Sequence, residues 1–128
     1  MDPTLERLLQ EAGEAARKAY APYSNFQVGA ALLTTEGETV TGANVENASY
    51  ALSICAERVA ASCAISRGYR DFKALAVSAS SDSPPTPCGA CLQFLSEFSG
   101  DLVIVTAGRS GEGRVTSLSR LLPQPFRL

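Results

Sequence analysis

The sequence predicts an α/β protein, in which helices cover a sheet that has both antiparallel and parallel strands. Residues 26–34 are apolar on both alternating faces, as expected for a strand covered by a layer on each side. Residues 55–67 carry apolar side chains at helical spacing. Residues 73–80, 88–100 and 102–106 are predicted to form strand, helix and strand, and this order is typical of a parallel crossover unit.

The N-terminal segment is predicted to be one amphipathic helix that ends at Tyr20. Asp2 can cap this helix, and Pro3 is tolerated in a first helical turn. Apolar residues then recur at helical spacing as far as Tyr20, before residues 21–25 break the pattern. The pair Glu36-Gly37 is predicted to turn the chain from the first strand into an antiparallel return strand.

The remaining elements follow from apolar patterns and from the residues that interrupt them. The return strand is predicted over residues 39–46, and Gly68 is expected to end the second helix. Residues 81–87 are predicted to form a proline-rich loop and residues 108–113 a turn. A short strand is predicted around Val115 and a last helical turn at residues 117–122.

Composition limits the class of protein and of partner. The chain has 128 residues, enough for one domain, with a net charge of −2 and no run of Lys or Arg. A nucleic-acid backbone or an acidic membrane surface is therefore not the expected partner. No apolar run approaches the ~20 residues of a membrane span, and the N-terminus is acidic where a signal peptide would be basic. We expect a cytoplasmic protein, in which cysteines serve as metal ligands or core thiols.

Three cysteines and one acid form the motif that indicates chemistry. Cys55 precedes Glu57 by two residues, and Cys88 and Cys91 follow in a C-x-x-C pattern. The chain contains no histidine, which excludes Ser-His-Asp and Cys-His nucleophile systems as well as every zinc site that contains histidine. Three protein ligands with an open fourth position are typical of catalytic zinc. Cys63 could instead complete a closed structural site, or could simply pack in the core.

The predicted topology brings these cysteines together. A helix of about 13 residues advances ~20 Å, and a strand of about eight residues returns ~26 Å, so the chain comes back to the end it left. Cys88 can therefore lie beside Cys55. Both residues open helices, where backbone N–H groups and the helix dipole lower the pKa of a thiol.

Arg58 and Glu57 are the candidates to complete the chemistry of such a site. Three thiolates leave zinc with a net negative charge, and Arg58 could offset part of it by donating hydrogen bonds to the ligand sulfurs. An intrahelical or intersubunit ion pair is the competing role for Arg58. Glu57 could carry the proton of a water molecule activated by zinc, although it could also be a solvated helix acid. The predicted reaction class is hydrolysis.

The cysteine motifs and three other segments of the chain resemble those of a known enzyme family. Cys55-Ala56-Glu57-Arg58 followed by Pro87-Cys88-Gly89-Ala90-Cys91 resembles the zinc-deaminase signature in a version that uses three cysteines. APYSNFQVGAALL at residues 21–33, NVEN at residues 44–47 and LLPQPF at residues 121–126 are similar to segments of the small homotetrameric cytidine deaminases of pyrimidine salvage. The match covers nearly the whole chain.

The resemblance implies a fold, a reaction and a cofactor. The fold would be a three-layer α/β/α sandwich around a mixed five-stranded sheet, with residues 1–128 as one catalytic domain. The reaction would be hydrolytic deamination of cytidine and deoxycytidine to uridine and deoxyuridine plus ammonia. One Zn²⁺ per chain is expected, with a nucleoside as the small-molecule partner and no nucleic acid or membrane. A homotetramer with shared active sites is the implied assembly.

The resemblance also implies roles for individual residues. The implied zinc ligands are Cys55, Cys88 and Cys91, and Glu57 is the implied proton shuttle. Asn44 and Glu46 match the pair that holds the ribose hydroxyls, and Phe26 matches an aromatic residue that packs on the pyrimidine. Residues delivered from neighbouring subunits are matched by Ala48, Tyr50 and Phe126. Without the resemblance, Asn44 and Glu46 would be ordinary exposed polar residues, and Phe26 and Phe126 would be core aromatics by base rate.

One departure and several rival functions accompany this interpretation. Leu92 stands where many relatives have arginine, which puts a local contact of that arginine in doubt. Cys88 and Cys91 could form a redox pair, which predicts no bound zinc. A zinc-stabilised binding module would use four ligands, including Cys63. A deaminase acting on RNA is disfavoured by the acidic balance, and one acting on an aminonucleoside antibiotic is disfavoured by the sugar-binding pair at residues 44 and 46.

Overall fold

The structure, a computed structural model, describes residues 1–128. Five strands and four α-helices follow one another, with a short 3₁₀ helix before the second α-helix. The elements are α1 (Pro3–Ala16), β1 (Val28–Thr34), β2 (Thr39–Ala43), the 3₁₀ helix (Tyr50–Leu52), α2 (Ala56–Ser66), β3 (Phe72–Ala79), α3 (Gly89–Ser96), β4 (Val103–Ala107), β5 (Gly113–Ser117) and α4 (Leu118–Leu121).

The five strands form one mixed sheet in the order β2-β1-β3-β4-β5. Only β3 and β4 are parallel, and α3 makes the crossover between them. Helix α1 packs through Leu8 and Ala12 on one face, whereas α2 and α3 pack through Ala60 and Leu95 on the other. The predicted α/β class, with a mixed five-stranded sheet between helical layers, is confirmed.

The first helix is shorter than its apolar periodicity predicted. Asp2 caps α1 as expected, since its carboxylate accepts a hydrogen bond from the Thr4 amide, but the helix ends at Ala16 instead of Tyr20. The Tyr20 amide donates to the carbonyl of Asn44, and the Glu46 amide donates to the carbonyl of Tyr20. This short pairing with the chain beyond β2 competes with the helix for the Tyr20 backbone, because each N–H and C=O needs one partner.

The second strand is also shorter than predicted, and it fixes the position of α2. β2 ends at Ala43, so Asn44 and Glu46 lie beyond the strand. Gly42 faces the helix: a Cβ at this position would lie 2.5 Å from the Ala60 nitrogen and 2.9 Å from the Ala56 carbonyl oxygen. The absence of a side chain therefore lets the start of α2 lie directly on β2.

Helix α3 ends at Ser96 instead of Gly100, because the amides of Glu97 and Phe98 bond to the carbonyls of Phe94 and Leu95, three residues earlier, and so close the last turn. The Phe98 carbonyl accepts a hydrogen bond from the Phe72 amide at the start of β3. None of the helices combines the length and the apolar character that crossing a membrane requires.

Candidate active site

Three cysteine sulfurs meet at the N-terminal ends of α2 and α3. The Sγ atoms of Cys55 and Cys88 are 3.9 Å apart, and those of Cys88 and Cys91 are 3.4 Å apart. All three sulfurs lie within 4.8 Å of one another. Zn–S bonds of about 2.3 Å in tetrahedral geometry would place neighbouring sulfurs about 3.8 Å apart. The three thiol groups therefore have the chemistry and the spacing to hold a zinc ion.

Local sequence explains why these sulfurs converge. Cys55 is the N-cap residue of α2 and Cys88 is the N-cap residue of α3, while Cys91 lies in the first turn of α3. The Cys91 amide donates a hydrogen bond of 3.4 Å to the Cys88 sulfur. Two helix N-termini thus point positive dipole ends and unpaired N–H groups at one cluster, an arrangement that favours thiolates and the metal they bind.

The cysteines do not share charge equally. A hydrogen bond from Cys91, with smaller contributions from Arg58 and Cys88, lowers the pKa of Cys55 to about 5. The same contact with Cys55, together with burial, raises the pKa of Cys91 above its ordinary range. The Cys55–Cys91 pair therefore holds one thiolate readily, and a bound cation would have to displace the remaining proton.

Arg58 lies one helical turn after Cys55 and faces its sulfur. The Arg58 Nη2 atom is 3.7 Å from the Cys55 Sγ, within hydrogen-bond distance for sulfur. Its Nε is buried and has no hydrogen-bond partner in the chain. Contact with Cys55, and then with Cys91, raises the pKa of Arg58, so a permanent positive charge stands beside the sulfur cluster.

Glu57 lies between Cys55 and Arg58 and is withdrawn from solvent. It is the second residue of α2 and only 5% exposed. Burial is the main cause that raises the pKa of Glu57, and the nearby Cys55 thiolate acts in the same direction. A carboxyl group with a raised pKa suits the transfer of protons near neutral pH.

A cleft of about 220 Å³ extends from Cys55 along the ends of β1 and β2. Its walls include Phe26, Asn44 and Glu46, so the structure brings these three residues to the same cavity as one of the cysteines. A larger open cleft, of about 570 Å³, lies between α1 and the turn at residues 108–113, and no cysteine lines it. The smaller cleft is the one that adjoins reactive groups.

The polar walls of this cleft are held by hydrogen bonds to the segment before β1. The Asn44 side chain accepts a hydrogen bond of 2.9 Å from the Val28 amide and donates one of 2.9 Å to the Phe26 carbonyl. The Glu46 carboxylate accepts hydrogen bonds from the amides of Tyr23 and Ser24, at 3.0 and 3.2 Å, and another from the Ser24 hydroxyl. The Ser24 hydroxyl contributes most to lowering the pKa of Glu46.

The structure does not bring Ala48, Tyr50 and Phe126 into the cleft of their own chain. Ala48 is exposed, Tyr50 is 72% exposed and Phe126 is 70% exposed. The Phe126 backbone is nevertheless fixed, because the Gln93 side chain donates to its carbonyl at 3.0 Å and accepts from its amide at 2.9 Å. These three residues stand on the outer surface of the chain.

Cys63, the possible fourth ligand, and Leu92, which stands where many relatives have arginine, both lie in or against the core. Cys63 lies inside α2, packs against the core and does not belong to the sulfur cluster, so the four-ligand site is wrong. Leu92 is 5% exposed and belongs to the core between α2 and the sheet. Its apolar side chain is therefore stabilised by packing against the core at this position.

Two residues that hold the surroundings of the site, Ser24 and Gln93, are not marked by any pattern in the sequence. Ser24 bonds to Glu46, which is 22 positions away, and Gln93 bonds to Phe126, which is 33 positions away. No local periodicity indicates such contacts. The only available signal was that both residues lie beside motif residues, Ser24 in the segment before Phe26 and Gln93 just after the C-x-x-C pair.

Comparison with known proteins agrees with this geometry. Residues 2–107 match the family described as the cytidine and deoxycytidylate deaminase zinc-binding region. A cytidine deaminase from Sporosarcina psychrophila is 44% identical over 95% of this chain and 90% of that protein. One from Halalkalibacterium halodurans is 46% identical over 94% of this chain and 92% of its own length. The crystal structure of cytidine deaminase from Burkholderia pseudomallei superposes with a TM-score of 0.91 at 47% identity, covering 98% of this chain and 100% of that one. The chain therefore belongs to the cytidine and deoxycytidylate deaminase family that carries this zinc-binding region.

Proposed function

We propose that this protein is a zinc-dependent cytidine deaminase. It hydrolyses cytidine and deoxycytidine to uridine and deoxyuridine with release of ammonia, a reaction of pyrimidine salvage. The observation that carries the proposal is the cluster of three cysteine sulfurs within 4.8 Å of one another, with the buried Glu57 two residues after Cys55. A redox pair of Cys88 and Cys91 would give no role to Cys55, whose sulfur is 3.9 Å from that of Cys88.

Cys55, Cys88 and Cys91 would hold one zinc ion per chain. When bound there, zinc supplies Lewis-acid activation of a water molecule as the nucleophile. Arg58 stands 3.7 Å from the Cys55 sulfur and offsets part of the negative charge of three thiolates. The N-termini of α2 and α3 act on the sulfurs in the same direction.

Glu57 moves the protons of the reaction. Its carboxylate takes one proton from the attacking water and delivers it to the ring nitrogen next to the amine-bearing carbon of the pyrimidine. It then carries the second proton to the departing amine, which leaves as ammonia, while the carbon keeps the oxygen as a carbonyl. The burial of Glu57 keeps solvent from competing for these protons.

The cleft that adjoins Cys55 provides the nucleoside site. Phe26 offers an aromatic surface to the pyrimidine, and Asn44 and Glu46 offer polar groups to the sugar hydroxyls. The aromatic wall suits the flat face of the base and the polar wall suits the sugar hydroxyls, as expected for a small-molecule site with few oriented polar groups.

Assembly into a homotetramer with shared active sites is part of this proposal. The exposed aromatic rings of Tyr50 and Phe126, and the 65% exposed Leu52, leave apolar surface that a second copy would cover. Ala48, Tyr50 and Phe126 would then complete the cleft of a neighbouring subunit. Light scattering on the purified protein should give a mass of about 54 kDa, four times the 13.4 kDa of one chain. A monomeric mass with full activity would contradict shared sites.

The proposal extends to domain organisation and location. Residues 1–128 would act as a single catalytic domain in the cytoplasm, without nucleic-acid or membrane partners. The net charge of −2 and the lack of a basic run support this, because phosphate-rich partners are bound by clustered Lys and Arg.

The direct test is absorbance-monitored deamination by one purified, zinc-loaded sample. Cytidine and deoxycytidine should be converted, whereas cytosine and adenosine should not. Metal analysis should find about one zinc per chain, and a chelator should abolish turnover until zinc is restored. No conversion of either nucleoside by zinc-loaded protein would overturn the proposal, and disulfide reduction by zinc-free protein would favour the redox alternative.

A further inference from the structure

We infer that Ser24 is a positioning residue for nucleoside recognition, because its hydroxyl sets the direction in which the Glu46 carboxylate can accept a hydrogen bond from the sugar. This inference rests on the proposed function and deepens it. It assigns to the same cleft a determinant of sugar recognition that lies outside the cysteine motif and outside the Asn44-Glu46 pair.

The Ser24 hydroxyl connects two walls of the cleft. It donates a hydrogen bond to the Glu46 Oε2 atom and accepts one of 3.0 Å from the Phe26 amide. The Phe26 carbonyl in turn accepts from the Asn44 side chain at 2.9 Å. A continuous chain of hydrogen bonds therefore joins Glu46, Ser24, Phe26 and Asn44, and three of these four residues line the cleft.

A count of acceptor positions shows what Ser24 controls. A carboxylate has about four lone-pair positions. The amides of Tyr23 and Ser24 occupy those of Oε1, at 3.0 and 3.2 Å, and the Ser24 hydroxyl occupies one on Oε2. One acceptor position remains for an outside donor, on the oxygen that also bonds to Ser24. The Ser24 hydroxyl therefore determines which way the free position of Oε2 points.

Backbone geometry shows that this contact is built into the turn. Asn25 has a φ of +57°, in the left-handed region that asparagine tolerates better than most residues. Its amide donates to the Ala21 carbonyl at 2.9 Å. This turn places the Ser24 side chain between Glu46 and the Phe26 amide, so a rigid segment supports the hydroxyl.

The Ser24 hydroxyl also favours the ionised form of Glu46. Hydrogen bonding from Ser24 is the largest cause that lowers the pKa of Glu46 below its ordinary value. A sugar hydroxyl is a donor, and an ionised carboxylate accepts more strongly than a neutral acid. A purely structural role for Ser24 would affect folding of the turn without favouring one sugar over another.

The test compares two nucleosides on the zinc-loaded enzyme. Cytidine carries the sugar hydroxyls that Glu46 can bind, and dideoxycytidine lacks them and is measured as a competitive inhibitor of cytidine turnover. In Ser24→Ala we expect the KM for cytidine to rise about tenfold with kcat changed less than about twofold, the pattern of lost uniform binding. The inhibition constant of dideoxycytidine should change less than about threefold, since no contact with Oε2 is lost.

Three variants make the result specific. Glu46→Gln should show the same selective loss for cytidine. Ser24→Thr should retain the wild-type values because it keeps a hydroxyl. Ser66 is an exposed serine at the far end of α2, and Ser66→Ala should match the wild type. Because KM and the inhibition constant do not depend on the fraction of folded enzyme, partial unfolding of Ser24→Ala would not hide the effect.

The outcomes separate this inference from the proposed function. An unchanged KM in Ser24→Ala, an equal change for both nucleosides, a loss confined to kcat, or a threonine variant that behaves like alanine would overturn the role of Ser24 alone. A Glu46→Gln variant without a selective loss would overturn the role of Glu46 as well. A wild-type enzyme that converts no cytidine would overturn the proposed function, and the inference with it.

Discussion

Replacing Gly42 by alanine is predicted to displace the helix that carries the site. The added Cβ would lie 2.5 Å from the Ala60 nitrogen, whereas ordinary van der Waals contact begins at 3.4 Å. The Ala60 nitrogen and the Ala56 carbonyl oxygen, which the Cβ would also meet, are backbone atoms of α2. The start of this helix therefore has to move away from β2 by about 0.9 Å. Cys55 and Glu57 belong to the part of the chain that moves, while Cys88 on α3 does not.

The expected cost of Gly42→Ala appears in both stability and activity. Overpacking of this kind costs about 1–3 kcal/mol, and a loss of ~2 kcal/mol corresponds to a fall in Tm of about 5–10 °C for a chain of this size. Misplacement of reacting groups by about 1 Å can reduce turnover by up to about 100-fold. We therefore expect kcat/KM for cytidine to fall about 10- to 100-fold, measured on zinc-loaded protein with the zinc content and the Tm recorded on the same sample.

Gly100→Ala is the matched control for this substitution. A Cβ at Gly100 would meet no atom within 4 Å, so the same chemical change is made without a clash. This variant should keep the Tm and the activity of the wild type. The reasoning would be refuted if Gly42→Ala and Gly100→Ala had equal kcat/KM values, because the close approach of α2 to β2 would then have no bearing on the site.

Three further substitutions test other parts of the site. Glu57→Gln should retain zinc but lose about 100- to 10,000-fold in kcat, because the proton carrier is removed while the sulfur cluster is intact; wild-type turnover in this variant would rule out the proton role. Cys91→Ser should lose most of the bound zinc in metal analysis whereas Cys63→Ser should keep it, because only Cys91 belongs to the sulfur cluster. The opposite result would contradict the assigned ligands. Asn25→Gly should retain wild-type stability in thermal unfolding, whereas Asn25→Val should lose about 1–2 kcal/mol or more. The reason is that a β-branched residue resists the left-handed backbone at this position. Equal stability of the two variants would count against a strained turn.

Hydrophobic patterning was sufficient to predict most of the fold, because it reports contacts between an element and the layer beside it. The apolar run at residues 26–34 contains β1, whose last six residues are buried, and the Cys55–Arg67 segment forms α2 with these two residues as its caps. The same patterning failed at Tyr20, where the apolar period continues but the backbone pairs with residues 44–46 instead. It also gave no sign of the 3₁₀ helix at Tyr50–Leu52, which has no buried residue.

The sequence by itself determined the metal chemistry of the site. A chain without histidine can offer a soft metal only sulfur, and a helix followed by a returning strand brings Cys55 and Cys88 to one edge whatever the details of the loops. The tertiary structure alone decided how the nucleoside cleft is supported. Ser24 reaches Glu46 and Gln93 reaches Phe126 across 22 and 33 positions, and such contacts depend on where loops lie in space. Local spacing along the chain governs helices and strands, whereas contacts between loops are fixed only when the whole chain has packed.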